Sequence, residues 1–259
     1  HDDAFQDALL LHRDVSVGNI LIYENDSGER KGLLSDWELS KDTNDLQIAR
    51  ETERTGTWQF ISSALLQALV SCHSTKDDFE SFFHVLGWTA LKFTNHPMEG
   101  DLLKYSLRHI YDDAFLKVGR LRGGVGKQGA MANRSLSRVG FVPSAFCDII
   151  VDFEDTCASR YVQAPDPDVV KEVSLMIESE TNEKRKIIHM NNHEWALHMR
   201  QTRLDSASWM IKRCDEALQS SDWPEEALPR FEHKLPKNLY VTGSKRPNDV
   251  STQELEQTS

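Results

Sequence analysis

Three polar side chains with a defined spacing carry the chemistry that this sequence suggests. They are a carboxylate at Asp14, an amide at Asn19 and a second carboxylate at Asp36. A carboxylate can accept the proton of an attacking hydroxyl, and carboxylate and amide oxygens are the hard ligands that suit Mg²⁺. An acid that serves as a base, beside an amide and an acid that hold a metal ion, indicates phosphoryl transfer from a nucleotide bound to Mg²⁺.

These residues need a rigid support, and the sequence predicts one. The apolar run Ile20–Tyr23 predicts a buried strand, residues 24–28 have the composition of a turn, and Leu33-Leu34 opens a return strand. Such a β-hairpin would carry Asn19 just before its first strand and Asp36 just after its second.

The composition limits the compartment and the partners. The chain has 259 residues, 39% of them hydrophobic, and a formal net charge of -11. The negative charge argues against nucleic acid or an anionic membrane as the main partner, and no apolar run approaches the length of a membrane span. None of the four cysteines lies in a C-x-x-C pair, so we expect an intracellular protein, cytoplasmic or nuclear, without a disulfide framework.

After the hairpin the apolar spacing is helical, and the sequence predicts a mainly α structure. The clearest segment is 77–93, whose apolar residues lie on most sides, as expected of a helix inside a core. The other predicted helical segments are 4–11, which leads into the loop of Asp14, and 101–117, 143–161, 169–177 and 193–218.

Less regular segments lie between and after these helices. Residues 39–53 and the glycine-rich residues 119–137 are predicted to be loops. From Ser221 onward Pro, Ser, Thr and charged residues dominate. We therefore expect one domain over 1–222 and a disordered tail over 223–259, with one docked piece around 228–240.

Four blocks resemble, in the same order, the C-terminal lobe of a eukaryotic protein kinase, and among kinases the fungal-type protein kinase family. They are H-R-D-V-S-V-G-N-I-L-I at His12–Ile22, L-L-S-D-W-E at Leu33–Glu38, R-T-G-T-W-Q-F-I at Arg54–Ile61 and D-D-F-E-S-F-F-H-V-L at Asp77–Leu86. The resemblance implies a mainly α, kinase-like C-terminal lobe with a small β-hairpin that carries the catalytic and metal-binding loops. It also implies ATP-dependent phosphoryl transfer to Ser or Thr hydroxyls of a protein substrate.

The resemblance implies a role for each matching residue. Asp14 would be the catalytic base, Asn19 and Asp36 would bind Mg²⁺ and the nucleotide, and Thr57 would line the pocket for the substrate hydroxyl. Asp78 would hold the backbone of the catalytic loop, although an Asp at this position equally fits a plain helix cap.

Arg13 has an implied regulatory role. It would contact the activation segment through a phosphate on Thr43, Thr52 or Thr55. A guanidinium beside a loop hydroxyl is suited to such a switch because it binds phosphate through paired hydrogen bonds.

The chain departs from the kinase pattern at three places. Ser16 stands where a catalytic-loop Lys is usual, so one cation that would stabilise the transferred phosphate is missing. Asp36-Trp37-Glu38 replaces D-F-G, which keeps the metal ligand but removes the glycine hinge, and we expect a stiffer loop. Ser62-Ser63-Ala64 replaces A-P-E, which removes the Glu of an ion pair that pins the activation segment.

The N-terminal lobe of a kinase is also expected to be missing. Eleven residues precede His12, too few for a glycine-rich phosphate loop, a strand Lys and its partner Glu. We therefore interpret the sequence as a fragment, and we expect the isolated chain to bind nucleotide weakly and to have little or no activity.

Two other functions stay open on the sequence alone. Asp36-Trp37-Glu38 and Val17-Gly18-Asn19 are similar to the I-D-W-E and P-G-N motifs of small-molecule phosphotransferases of the aminoglycoside or choline kinase kind. Arg13 argues against that group, which typically has Gly there. The third possibility is a catalytically dead pseudokinase that serves as an interaction module.

Some motifs do not support a site of their own. The G-x-G-x-x-G match at Gly124–Gly129 follows no predicted strand, so we expect a flexible loop rather than a phosphate site. His193 and His198 are one residue too far apart for H-E-x-x-H. The acidic run Asp152–Asp155 is predicted to be a solvated helix face.

Overall fold

The computed structural model describes residues 1–42, 56–70, 72–223 and His233. Within these residues the structure is mainly helical with small antiparallel pairs of strands, which confirms the predicted fold class. The helices are α1 Asp2–Ala8, α2 Ser63–Gln67, α3 Thr75–Phe93, α4 Gly100–Tyr111, α5 Val125–Ala132, α6 Ser144–Ser159, α7 Pro167–Ser179, α8 Glu183–Met190, α9 His193–Thr202 and α10 Ser208–Leu218. The strands are β1 Leu10–Leu11, β2 Ile20–Glu24, β3 Arg30–Leu34, β4 Lys41–Asp42, β5 Ala114–Lys117 and β6 Arg120–Gly123.

The predicted core helix 77–93 is confirmed as α3, which begins two residues earlier. The carboxylate of Asp77 accepts hydrogen bonds from the backbone and the hydroxyl of Ser74, so the cap falls on this pair and not on Asp78. Side chains of α3 pack with α4, α5 and α6 into the main core. Its largest buried members are Phe83, Leu91, Leu103, Leu107, Tyr111, Met131, Ile150 and Phe153.

The predicted hairpin between Asn19 and Asp36 is present, but its first strand is not buried. β2 pairs with β3 in antiparallel register from Ile20 opposite Leu34 to Glu24 opposite Arg30. Only Ile20 and Leu34, at the base, pack against the core around Val15, Phe60 and Val85. Farther out the strands leave the core, and Ile22 is 79% exposed.

The predicted helix 101–117 is wrong over its last residues. α4 ends at Tyr111, and residues 114–117 form β5, which pairs with β6. Val118 and Gly119 both have positive φ, +52° and +69°, which is the backbone of a two-residue hairpin turn. The periodicity missed the turn because only one of the two residues is glycine.

The predicted loop 119–137 is also wrong, since it contains β6 and α5. Its glycines allow close packing and do not indicate a flexible loop. A Cβ at Gly126 would lie 1.9 Å from the carbonyl oxygen of His109, and one at Gly123 would lie 2.1 Å from that of Asp113. The hairpin and α5 can therefore approach the end of α4 only without side chains at these positions.

The remaining predicted helices are found with shifted boundaries. The segment 4–11 is helical only to Ala8, and 193–218 is two helices separated by residues 203–207. Helix α8 was not predicted. Within the run Asp152–Asp155, Glu154 is buried and accepts the backbone N–H groups of residues 136 and 137, so this run is not a uniformly solvated face.

Most of the predicted tail 223–259 lies outside the described residues. Within the predicted docked piece, the backbone N–H of His233 donates to the carbonyl of Lys92, and its ring stacks on His96. Among the described residues, no helix combines the length and the apolar character needed to cross a bilayer.

Two glycines on α5 give a matched test of this packing. We expect Gly126→Ala to lower the free energy of unfolding by about 1–3 kcal/mol, because its methyl group would overlap the His109 carbonyl. Gly129→Ala should raise it by about 0.5–1 kcal/mol, because no atom lies within 4 Å and alanine favours helix. Urea denaturation of both variants measures this, and equal effects of the two changes would contradict the close packing.

Candidate active site

Asp14 is bound to Thr57 through one carboxylate oxygen. Oδ1 accepts the backbone N–H of Thr57 at 2.7 Å and its hydroxyl at 2.9 Å. No described residue donates to Oδ2, so this oxygen remains to accept a proton. Gly56 makes the approach possible: its φ is +116°, and a Cβ there would lie 2.8 Å from the carbonyl oxygen of Arg13.

Asn19 is oriented toward the same loop. Its Nδ2 donates to the backbone carbonyl of Asp14 at 2.9 Å, and its own carbonyl accepts the backbone N–H of Ser35 at 2.8 Å. Asp36 follows Ser35 directly. The β2–β3 hairpin therefore brings Asn19 and Asp36 to the same end, as the sequence predicted.

Asp36 has a left-handed backbone with φ +62°, and it lies at the start of a 3₁₀ turn over Trp37–Leu39. Trp37 holds this turn, since its Nε1 donates to the carbonyl of Leu34 and its ring packs edge-on against His12. His12 in turn shares a hydrogen bond with the carbonyl of Ser35. These contacts hold the turn in place, and the stiffer loop stays a prediction.

The chemistry of Asn19 and Asp36 fits Mg²⁺. One amide oxygen and one carboxylate are hard ligands, and Mg²⁺ in phosphate sites usually has only one or two protein ligands, the others being water and phosphate. Among the described residues, no group of three or more His, Cys, Asp or Glu side chains could hold a metal ion alone. A metal at this end of the hairpin would therefore depend on a bound phosphate ligand.

Asp78 on α3 holds the backbone of the loop that precedes Asp14. Its carboxylate, which is inaccessible to solvent, accepts the backbone N–H groups of His12 at 3.0 Å and Arg13 at 3.2 Å. His73 and His1 also contact it, each at 2.8 Å. Of the two sequence-based interpretations of Asp78, the anchor of the loop agrees with the structure and the plain cap does not.

Arg13 and Ser16 are both buried. Arg13 has a left-handed backbone, φ +69°, and its guanidinium donates to the carbonyl of Leu39 at 3.1 Å, just before residues 43–55. Thr43, Thr52 and Thr55, which were predicted to carry a phosphate, lie outside the described residues. Ser16 lies at the start of the 3₁₀ turn over Val17–Asn19, where its carbonyl accepts the backbone N–H of Asn19.

Hydrogen bonds and an ion pair fix the segment after Thr57, although it lacks the A-P-E Glu. The hydroxyl of Ser62 donates to Asp77 at 2.5 Å, and the backbone N–H of Ser63 donates to Glu80 at 2.7 Å. Arg160 bridges both carboxylates, at 2.7 Å to Asp77 and 3.0 Å to Glu80. The acids of this ion pair lie on α3 and not in residues 62–64, and the hydrogen bonds of Ser62 and Ser63 join the segment to it.

The charge state of this cluster follows from its burial and its donors. Burial raises the pKa of Glu80, but the hydrogen bond from His84 and the charge of Arg160 outweigh this effect and lower the pKa to about 2. The hydroxyl of Tyr161 also donates to Glu80, and its pKa is raised by burial and by the Glu80 charge. The sequence analysis missed Glu80, Arg160 and Tyr161, although three acids at the start of an apolar helix were a usable signal.

Lys127 is a second cation that the sequence analysis missed. It is buried, and its Nζ donates to the carbonyls of Trp58 at 3.1 Å and Ile61 at 2.6 Å. It belongs to the G-x-G-x-x-G match at 124–129, which does follow a strand and open a helix, contrary to expectation. Because its ammonium is turned into the protein, this match is a packing motif.

The comparison with known families covers the part of the chain that carries these residues. Residues 1–90 match the family described as fungal protein kinase. The match covers 90 of the 259 residues and includes Asp14, Asn19, Asp36, Thr57 and Asp78. No curated protein matches the chain. The similarity supports a kinase-like character for the segment that forms the site.

Removal of Arg160 should destabilise the folded chain, because two buried acids would lose their cation. We expect Arg160→Met to lower the free energy of unfolding by about 3–5 kcal/mol, because Asp77 and Glu80 would stay buried without a cation. Arg30→Met breaks the exposed Arg30–Glu24 pair and should cost less than about 1 kcal/mol. Urea denaturation of both variants checks this, and similar losses would mean that the buried pair contributes no more than a surface one.

Lys127 should make stability depend on pH. Burial lowers its pKa to about 7, although Glu80, Asp112 and Asp113 partly offset the effect. From about pH 7 up to its ordinary pKa, the unfolded chain binds more protons at this position than the folded chain, so folding strengthens as pH rises. Relative to Lys127→Met, the wild type should gain about 2 kcal/mol between about pH 7 and pH 9.

The comparison with Lys127→Met isolates this contribution, because the cysteines and tyrosines titrate alike in both proteins. Urea denaturation at the two pH values measures it. A difference between the two proteins that does not change with pH would show that Lys127 has an ordinary pKa.

Proposed function

We propose that this chain is a fungal-type protein kinase over its matched segment, and that residues 1–222 form a kinase-like C-terminal lobe. Its reaction would be ATP-dependent phosphoryl transfer to Ser or Thr hydroxyls of a protein. The observation that carries the proposal is the paired hydrogen bond from Thr57 to Asp14, with the Asn19 amide bound to the same loop. The match to fungal protein kinases over residues 1–90 supports it.

In this proposal Asp14 accepts the proton of the substrate hydroxyl through Oδ2, while Thr57 fixes the carboxylate through Oδ1. Asp78 holds the loop in place by accepting hydrogen bonds from the backbone of residues 12 and 13.

Asn19 and Asp36 would hold Mg²⁺, and bound Mg-ATP would supply the phosphoryl group and neutralise the charge that develops on it. Ser16 cannot replace the cation of a catalytic-loop Lys, and Lys127 is committed to the carbonyls of residues 58 and 61. The transferred phosphate would therefore depend on the metal for its stabilisation, and we expect slow turnover.

The same proposal covers the partners and the compartment. The substrate would be a protein, and the negative net charge makes nucleic acid or an anionic membrane a poor main partner. An intracellular location, cytoplasmic or nuclear, agrees with the reliance on ATP and with the free cysteines among the described residues.

A phosphotransfer assay on the full chain tests the proposal. The chain is incubated with radiolabelled ATP, Mg²⁺ and a library of Ser- and Thr-containing peptides, beside Asp14→Asn and the exposed control Asp26→Asn. Because the chain is expected to bind nucleotide weakly, we expect only slow transfer. This transfer should fall to the background level in Asp14→Asn, because the general base is lost, and should be unchanged in Asp26→Asn.

Two outcomes would overturn the proposal. Transfer by the wild type no greater than that of Asp14→Asn would favour the non-catalytic interaction module. Transfer to a panel of amino alcohols and aminoglycosides, without transfer to peptides, would favour a small-molecule phosphotransferase.

A further inference from the structure

The β5–β6 hairpin, residues 114–123, is a cationic surface on an acidic protein. We call it the cationic hairpin. It contains Lys117, Arg120 and Arg122 and no acid, in a chain whose net charge is -11. The antiparallel register places Lys117 directly opposite Arg120 and Phe115 opposite Arg122.

The charges of this hairpin are not balanced within the described part of the chain. Like charges directly opposite each other weaken a pair of strands, so Lys117 opposite Arg120 opposes the pairing. None of the three cations forms an ion pair with a described residue. The nearest acids in sequence are already engaged, since Asp112 accepts the side-chain amide of Gln59 and Asp113 accepts the backbone N–H of Gly126.

The base of the cationic hairpin lies against the segment that contacts the candidate catalytic base. Gly123 packs on Trp58, so closely that a Cβ there would lie 2.7 Å from the indole ring. Gln59 is bound to Asp112 at 2.9 Å, just before the hairpin. Trp58 directly follows Thr57, whose hydroxyl is 2.9 Å from Asp14. The residue that follows Thr57 therefore packs directly against the base of the cationic hairpin.

We propose that the cationic hairpin binds acidic residues of the protein substrate, close in sequence to the Ser or Thr that is phosphorylated. This inference rests on the proposed function, and it is opposite to the basic substrate that the net charge alone would suggest. At about 3.3 Å per residue, the hairpin extends about 10 Å beyond Gly123. This length corresponds to about three residues of an extended peptide.

Two apolar residues near the tip of the cationic hairpin are exposed, so binding to a membrane is the alternative to binding a peptide. Leu116 is 74% exposed and Val118 is 95% exposed, and cations beside apolar tips also occur on membrane-binding loops. Two side chains bury little area, and the net charge of the chain would be repelled by an anionic bilayer. The contact between Gly123 and Trp58 favours the peptide, because it joins the hairpin to the acceptor segment.

A binding experiment with two peptides tests the inference without ATP. Both are fluorescein-labelled and carry one Ser, flanked on both sides by Glu in one peptide and by Gln in the other. Two triple variants of the protein are compared with the wild type. The hairpin variant carries Lys117→Gln, Arg120→Gln and Arg122→Gln. The α8 control carries Lys184→Gln, Arg185→Gln and Lys186→Gln. Both variants change the net charge equally, and circular dichroism checks that both are folded.

By fluorescence anisotropy we expect the wild type and the α8 control to bind the Glu peptide roughly tenfold more tightly than the Gln peptide. In the hairpin variant the preference should disappear, and in the wild type it should shrink at high salt because exposed charges are screened.

Three results would overturn the inference. They are equal binding of the two peptides by the wild type, an equal loss of preference in the two variants, and binding of the wild type to phosphatidylserine vesicles but not to the Glu peptide. The proposed function can fail separately: no phosphotransfer to either peptide, with the Glu preference intact, would remove the reaction and leave the binding surface. Equal phosphotransfer to the Glu and Gln peptides would support the reaction and remove the inferred binding surface.

Discussion

Three carboxylates in the first two turns of α3 hold together segments that lie far apart in the sequence. Asp78 binds the backbone of residues 12–13, while Asp77 and Glu80 bind residues 62–63 and Arg160. All three are almost completely buried. Because a buried carboxylate without donors is very unfavourable, each must find partners, and this need determines where the surrounding segments can lie.

The contact between Asp14 and Thr57 is a consequence of this arrangement. Asp78 fixes the loop on one side of the contact, and the acids with Arg160 fix the chain just after Thr57 on the other. Lys127 adds a third anchor, at the carbonyls of residues 58 and 61. A side chain is positioned well when the residues around it are themselves held, and here the anchors lie on α3 and α5 and directly after α6.

Features that depend on neighbours in sequence could be predicted, and features that depend on distant partners could not. The hairpin that brings Asn19 beside Asp36 and the core helix α3 follow from turn composition and apolar spacing. Arg160 lies 80 residues from Glu80, and no local pattern encodes their meeting. The wrong prediction for 119–137 has the same origin. Gly123 and Gly126 are required by close contacts with the carbonyl groups of residues 113 and 109, whereas the composition alone resembled that of a loop.

The bridge through Arg160 joins a guanidinium to acids that lie far from it in the sequence. A guanidinium offers five N–H donors in a fixed plane, and it responds to where an oxygen lies in space, whichever residue supplies it. Here the acids lie on α3, and Ser62 and Ser63 at the start of α2 donate hydrogen bonds to them. A comparison that scores only residues 62–64 would miss this connection, because the acids lie 15 and 17 residues farther along the chain.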